Sequence, residues 1–107
     1  MIYELRIYHI LPGRMDAIHK RFSDVTLGLF TKHGMKTVDF WEDAGGGGRI
    51  YYVLEHGDRA ARDAAFEAFR EDPEWIAAKE ASEADGPIVE RIENYFMNRV
   101  PYSPAAQ

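Results

Sequence analysis

The chain has 107 residues, 46% hydrophobic and 29% charged, so one globular domain around one core is the default and wholesale disorder is excluded. Its net charge of −5, with lysines and arginines scattered, excludes the concentrated positive surface that nucleic acid demands. The lack of cysteine removes disulfides, thiolate catalysis and cysteine-ligated zinc, and no apolar run approaches the ~18 residues of a membrane span.

The first predicted element is a strand over residues 2 to 10, in which Leu5 and Ile7 alternate with Glu4, Arg6 and Tyr8. Pro12 and Gly13 end it. Met15, Ile18, Phe22, Val25 and Leu29 then recur at spacings of three and four, one apolar face of a helix with Lys20, Arg21 and Asp24 mainly on the other side. His33-Gly34 supplies its stop, with glycine free to take the left-handed cap. Residues 36 to 43 and 49 to 56 are β-rich and joined by Gly45 to Gly48, which predicts a hairpin. No Lys-Ser/Thr pair or helix follows the glycines, so a hairpin tip is favoured over a phosphate loop.

Asp58 is the expected N-cap of a second helix running to about Arg70 and burying Ala61, Ala65, Phe66 and Phe69. Asp72, Pro73 and Glu74 restart helix, with proline at the first position and a carboxylate at the positive end of the dipole. This short helix carries Trp75, expected in the core, and Ile76. Residues 88 to 100 form the last strand, and 101 to 107 an extended arm.

The order β-α-β-β-α-β folds most simply into a ferredoxin-like α+β sandwich with antiparallel sheet order 4-1-3-2 and helices on one face. Leu5, Ile7, Val38, Phe40, Tyr52 and Leu54 are expected under the helices. Glu4, Arg6, Tyr8, Asp39, Trp41, Tyr51, Val53 and Glu55 are expected on the bare face, a mixture of rings and charges suited to a second copy of the same sheet.

"YELRIY", "PGRMDAI", "FW", "DPEW", and "EN" followed by "PYSP" occur in an order that resembles the NIPSNAP family over nearly the whole chain. The resemblance implies a homodimeric α/β barrel, two ferredoxin-like sheets closing face to face around a cavity. The wider superfamily includes cofactor-independent monooxygenases of antibiotic biosynthesis, haem-degrading proteins and stress-response barrels. It brings no settled catalytic motif, and the glycine run at 45 to 48 departs from the usual hairpin, where a polar residue such as Asn often stands.

The cavity candidates are Glu4, Arg6, Tyr8, Asp39, Trp41, Tyr51 and Tyr95. In one reading Arg6 grips an anionic or carbonyl oxygen with its planar fork while Tyr8 stacks or supplies a proton. In the other, which is favoured, Arg6 belongs to an ion-pair seam between subunits with Glu4 or Asp39. Trp41, Tyr51 and Tyr95 suit a planar substrate, and more often such rings are interface anchors. His9 and His56 fall at opposite ends of neighbouring strands, on the order of 20 Å apart at ~3.4 Å per residue. Surface or capping roles are expected for the histidines, and no metal or cofactor. Glu90 and Glu93, three apart on a strand, face opposite ways and form no catalytic pair.

Two readings of function are open at this stage. One is a cytoplasmic homodimer, expected there because the N-terminus lacks a signal-peptide layout, that binds a small organic molecule in the barrel cavity. The other is a cofactor-independent monooxygenase-like enzyme acting on an electron-rich aromatic, which needs a base to generate the substrate anion.

Overall fold

The computed structural model describes residues 1–106 and has the expected order. It runs through β1 (Ile2–Ile10), α1 (Met15–Arg21), α2 (Leu27–Lys32), β2 (Lys36–Glu42), β3 (Arg49–His56), α3 (Arg59–Glu71), α4 (Pro73–Ser82) and β4 (Val89–Met97). The four strands form one antiparallel sheet, order β2-β3-β1-β4, which is the predicted 4-1-3-2. The helices cover one face. Residues Pro104–Ala106 of the tail make a single 3-10 turn. No helix among the described residues is long and apolar enough to cross a membrane.

Local chemistry accounts for most boundaries. The end of α2 is a Schellman cap: Met35 N–H donates to the Phe30 carbonyl at 2.8 Å and Gly34 N–H to Thr31 at 3.0 Å, with Gly34 at φ +77°. Asp58 accepts from Ala61 N–H at 2.7 Å at the start of α3, and Asp72 from Glu74 N–H at 2.9 Å at the start of α4. Asp72 also receives Lys32 at 2.8 Å and His33 at 2.7 Å, which ties the break between α3 and α4 to the end of α2.

Between α1 and α2 the helix widens into a π turn over Phe22–Thr26, where Thr26 Oγ1 donates to the Arg21 carbonyl at 3.2 Å. The extra residue shifts the buried stripe. Arg21, expected on the outer side, is buried next to buried Phe22, and Thr26 and Phe30 are buried as well. Phe22 packs on Tyr8 and Phe40, while Arg21 lies 5.1 Å above the Trp75 ring.

The core is aromatic and centres on Tyr52, which stacks on Phe40 at 4.8 Å and meets Phe22, Phe30 and Tyr8. Trp75 closes one side against Phe69, at 4.6 Å between centroids.

The faces of β1 are the reverse of the expected ones. Glu4 and Tyr8 are buried under the helices, and Arg6 is partly buried beside them, because they pair across the sheet with Leu54, Ile50 and Tyr52. Leu5 and Ile7 pair with Val53 and Tyr51 and point to the bare face. Val38 also departs from expectation: the β2–β3 register shifts between Thr37 and Asp39, so Val38 is the extra residue of a bulge and is exposed, while Phe40 returns to the helix side. In α3 Arg62 is buried and Ala61 is exposed.

Candidate functional site

The inversion of β1 collects polar groups in the layer between sheet and helices. Glu4 is fully buried and accepts five hydrogen bonds. Arg62 of α3 grips it in a fork, Nε to Oε1 at 2.9 Å and Nη2 to Oε2 at 2.8 Å. Arg6 adds a contact at 3.0 Å, Asn94 of β4 one at 3.1 Å, and His56 of β3 one at 3.1 Å. Burial pushes the Glu4 carboxyl up, but the Arg62 hydrogen bonds, the Arg6 charge and Asn94 outweigh it and hold the group at about 2. Burial drives His56 the other way, below its ordinary value, and the bond to Glu4 only partly opposes it. His56 is therefore a buried member of this network and not the surface group expected.

A second chain of groups leaves the network. Arg6 Nε donates to the Tyr52 hydroxyl at 2.7 Å, and Tyr52 donates to the Tyr8 hydroxyl at 3.0 Å. Burial raises the Tyr52 phenol well above its usual value, so it stays protonated. Tyr8 and Arg21 reach the wall of a pocket of about 350 Å³ between the β1–β4 side of the sheet and α4. Trp75, Val89 and Ile92 supply apolar walls, and Lys79, Glu83, Glu90 and Arg91 line it as well. Arg21 is 5% exposed at its side chain; it touches Ser82 Oγ at 3.2 Å and Glu83 at 3.8 Å, and its Nε has no partner among the described residues. Burial lowers its affinity for a proton, with Tyr8 and Glu83 pulling the other way.

The seven expected cavity residues thus separate into two groups. Glu4, Arg6 and Tyr8 come together, beneath the helices and within one chain, so Arg6 is satisfied by Glu4 and Tyr52 and forms no seam on the bare face. Asp39, Trp41, Tyr51 and Tyr95 lie on the other face, by register with Val53, Tyr51, Ile7 and Leu5 respectively or through them. Tyr51 donates to Asp43 at 2.6 Å and Tyr95 to Glu93 at 2.8 Å, leaving their rings along a face built from Leu5, Ile7, Val38, Val53 and Met97. Among the described residues no three metal-ligating side chains converge.

Arg21, Arg62 and Asn94 were not expected in a site. Arg62 had a signal: it stands four before Phe66 and seven before Phe69, on the buried stripe itself. Arg21 had none, because the π turn that turns it inward leaves no mark in the apolar spacing.

The sequence matches the NIPSNAP family over residues 3–104. The chain belongs to the NIPSNAP family. Solved NIPSNAP structures agree with this fold. An uncharacterised NIPSNAP domain protein from Burkholderia xenovorans is 26% identical, covers 97% of this chain and 99% of its own, and superposes with a TM-score of 0.81. A NIPSNAP family protein of unknown function from Agrobacterium tumefaciens is 23% identical, with coverage of 97% and 92% and a TM-score of 0.83. An antibiotic biosynthesis monooxygenase shares the fold alone, at 16% identity, coverage of 94% and 100%, and a TM-score of 0.66. No curated protein matches the chain in sequence.

Proposed function

We propose that this NIPSNAP domain is a cytoplasmic homodimer that binds a small organic molecule in the pocket between its sheet and α4. One observation carries the binding reading: the pocket has apolar walls of Trp75, Val89 and Ile92, and a polar end where Tyr8 and buried Arg21 meet it. Concave apolar walls with a few fixed polar groups are the usual makeup of small-molecule sites. The binding site is accordingly placed under the helices rather than in the barrel cavity, with Tyr8 as a ligand contact and Glu4 and Arg6 as the groups that fix its surroundings. Trp41, Tyr51 and Tyr95 become interface anchors on the bare face.

The dimer reading is supported by the inversion of β1, which sends Leu5 and Ile7 outward beside exposed Val38, Trp41, Tyr95 and Met97. An apolar face of that extent belongs against a partner, and a self-complementary sheet meets a second copy by a two-fold axis.

Heteronuclear NMR with a panel of small aromatic compounds tests the site. Shifts clustered on Tyr8, Trp75, Val89 and Ile92 support it; shifts confined to Leu5, Ile7 and Tyr95 would move the site to the barrel. Oxygen uptake with the compounds that bind separates simple binding from oxygenation, and uptake coupled to their consumption would replace the binding reading with the oxygenase one.

A further inference from the structure

The polar end of the pocket holds two donors, on Tyr8 and Arg21, that lack an acceptor of their own among the described residues, although the carboxylates of Glu83 and Glu90 also line it. The direction of each proton follows from the chain of bonds. Arg6 Nε has only a hydrogen to give, so the Tyr52 oxygen accepts it at 2.7 Å. Tyr52 then spends its own hydrogen on the Tyr8 oxygen at 3.0 Å. The Tyr8 hydrogen is left to point onward, and Tyr8 lines the pocket. Arg21 lines the same pocket, and its Nε–H is buried without an acceptor among the described residues. A guanidinium never accepts, so both groups ask for a lone pair.

Charge points the same way. The pocket lining carries three cations, Arg21, Lys79 and Arg91, against two carboxylates, Glu83 and Glu90. Among the described residues the Arg21 charge meets one carboxylate, Glu83, at 3.8 Å. Leaving a buried charged donor unsatisfied is costly, and an anionic acceptor removes the cost.

We infer that the pocket takes a planar organic oxyanion, a carboxylate or phenolate carried on a ring, whose oxygen accepts from Tyr8 O–H and the Arg21 guanidinium. This rests on the pocket being the binding site, as proposed above. The ring lies among Trp75, Val89 and Ile92, and the volume of about 350 Å³ suits a single ring with small substituents. Arg6 and Tyr52 act as positioning residues: they touch no ligand, and their bonds leave the Tyr8 hydroxyl with only an outward proton to give.

The test uses a matched pair of nearly equal shape, benzoate and benzamide, titrated calorimetrically into the full-length protein at neutral pH. Benzoate is expected to bind at least about tenfold more tightly, the difference that a charge-assisted hydrogen bond commonly makes. Arg21→Gln should abolish that preference, and Tyr8→Phe should reduce it several-fold. Lys36→Gln, an exposed cation on β2 outside the pocket, serves as the control for general charge and should change neither. If Arg21→Gln does not fold by circular dichroism, Tyr8→Phe and the wild-type ratio still decide. Equal affinity for the two compounds would overturn the oxyanion inference and leave the pocket reading intact. Failure of wild type to bind either compound would remove both, and a preference that survives Arg21→Gln unchanged would remove the inference alone.

Discussion

Glu4 on β1 and Arg62 on α3 meet in a two-bond fork inside the protein, with nitrogen–oxygen distances of 2.9 and 2.8 Å. Both side chains are shielded, the carboxylate completely. Removing one half of such a pair strands a buried charge, which typically costs ~3–5 kcal/mol. Arg62→Leu is therefore expected to fall in that range in urea unfolding, and Glu4→Gln in the same chain should recover part of the loss. Arg6→Leu should cost less, about 1–3 kcal/mol, because Glu4 keeps Arg62, Asn94 and His56 as partners. An Arg6 variant weaker than the Arg62 variant would show that the network is organised around β1 and not around the link to α3.

The same network sets a direction for pH. The Glu4 carboxyl is held at about 2 in the fold against 4.5 without it, chiefly by Arg62 overcoming the cost of burial. A depressed carboxyl contributes stability above its unfolded value and loses it as pH falls toward the folded one. The window is therefore pH 4.5 down to about 2, and at ~1.4 kcal/mol per pH unit the contribution is about 3 kcal/mol. His56 adds to the loss earlier. Its folded value is depressed by burial, so as pH falls through 6.5 the unfolded chain takes up a proton that the fold resists. Asp72, held at about 2 by Lys32 and His33, steepens the acid limb as well. Guanidinium unfolding followed from pH 7 to pH 3 should show falling stability throughout, and Glu4→Gln should flatten only the part below pH 5.

Element order, sheet order and caps were legible because each rests on local signals: Gly34 after an apolar stripe, Asp58 and Asp72 before theirs, Pro73 at a first helical position. The facing of β1 was not. Period-two alternation says that a strand has two unlike faces, and it does not say which one is turned to the helices. Hydrophobicity would put Leu5 and Ile7 inside. The fold puts Glu4, Arg6 and Tyr8 inside because Arg62, Asn94, His56 and Tyr52, which come from three other elements, satisfy them there. Such a network exists only in three dimensions. Val38 failed for a related reason, since a bulge moves one residue out of alternation without changing composition.

The glycine run at the hairpin tip has one member that packing alone requires. A Cβ on Gly47 would come within 2.4 Å of Asp43 Oδ2. That carboxylate is held in place by Arg49 at 2.8 Å and Tyr51 at 2.6 Å, so it cannot swing away without breaking those bonds. Gly47→Ala is expected to destabilise by about 1 kcal/mol, the scale of a lost hydrogen bond. Gly45→Ala, whose Cβ meets nothing within 4 Å, should be neutral in the same thermal melt.

The bare face of the sheet is where the proposed dimer stands or fails, and Leu5 is the residue to probe. It sits on β1 between Val53 and Tyr95, at the middle of the outward apolar row, while its sequence neighbours Glu4 and Arg6 turn inward. A lysine at position 5 therefore places a charge at the centre of that face without touching the buried network. Between two sheets the charge would have to be desolvated with no partner opposite, and central interface positions carry the largest penalties, commonly ~2 kcal/mol or more. Leu5→Lys is expected to sediment as a monomer at micromolar concentration, with a far-ultraviolet circular dichroism spectrum matching wild type. Glu55→Lys, a charge change on β3 beside Tyr3 and farther from the apolar centre, should leave the dimer intact and lose only the contacts of Glu55 to Lys36 and Tyr3, at 3.2 Å each. A wild-type chain that sediments as a monomer, or a Leu5→Lys chain that stays dimeric, would detach the outward turn of Leu5 and Ile7 from dimerisation and leave that apolar face needing a different partner.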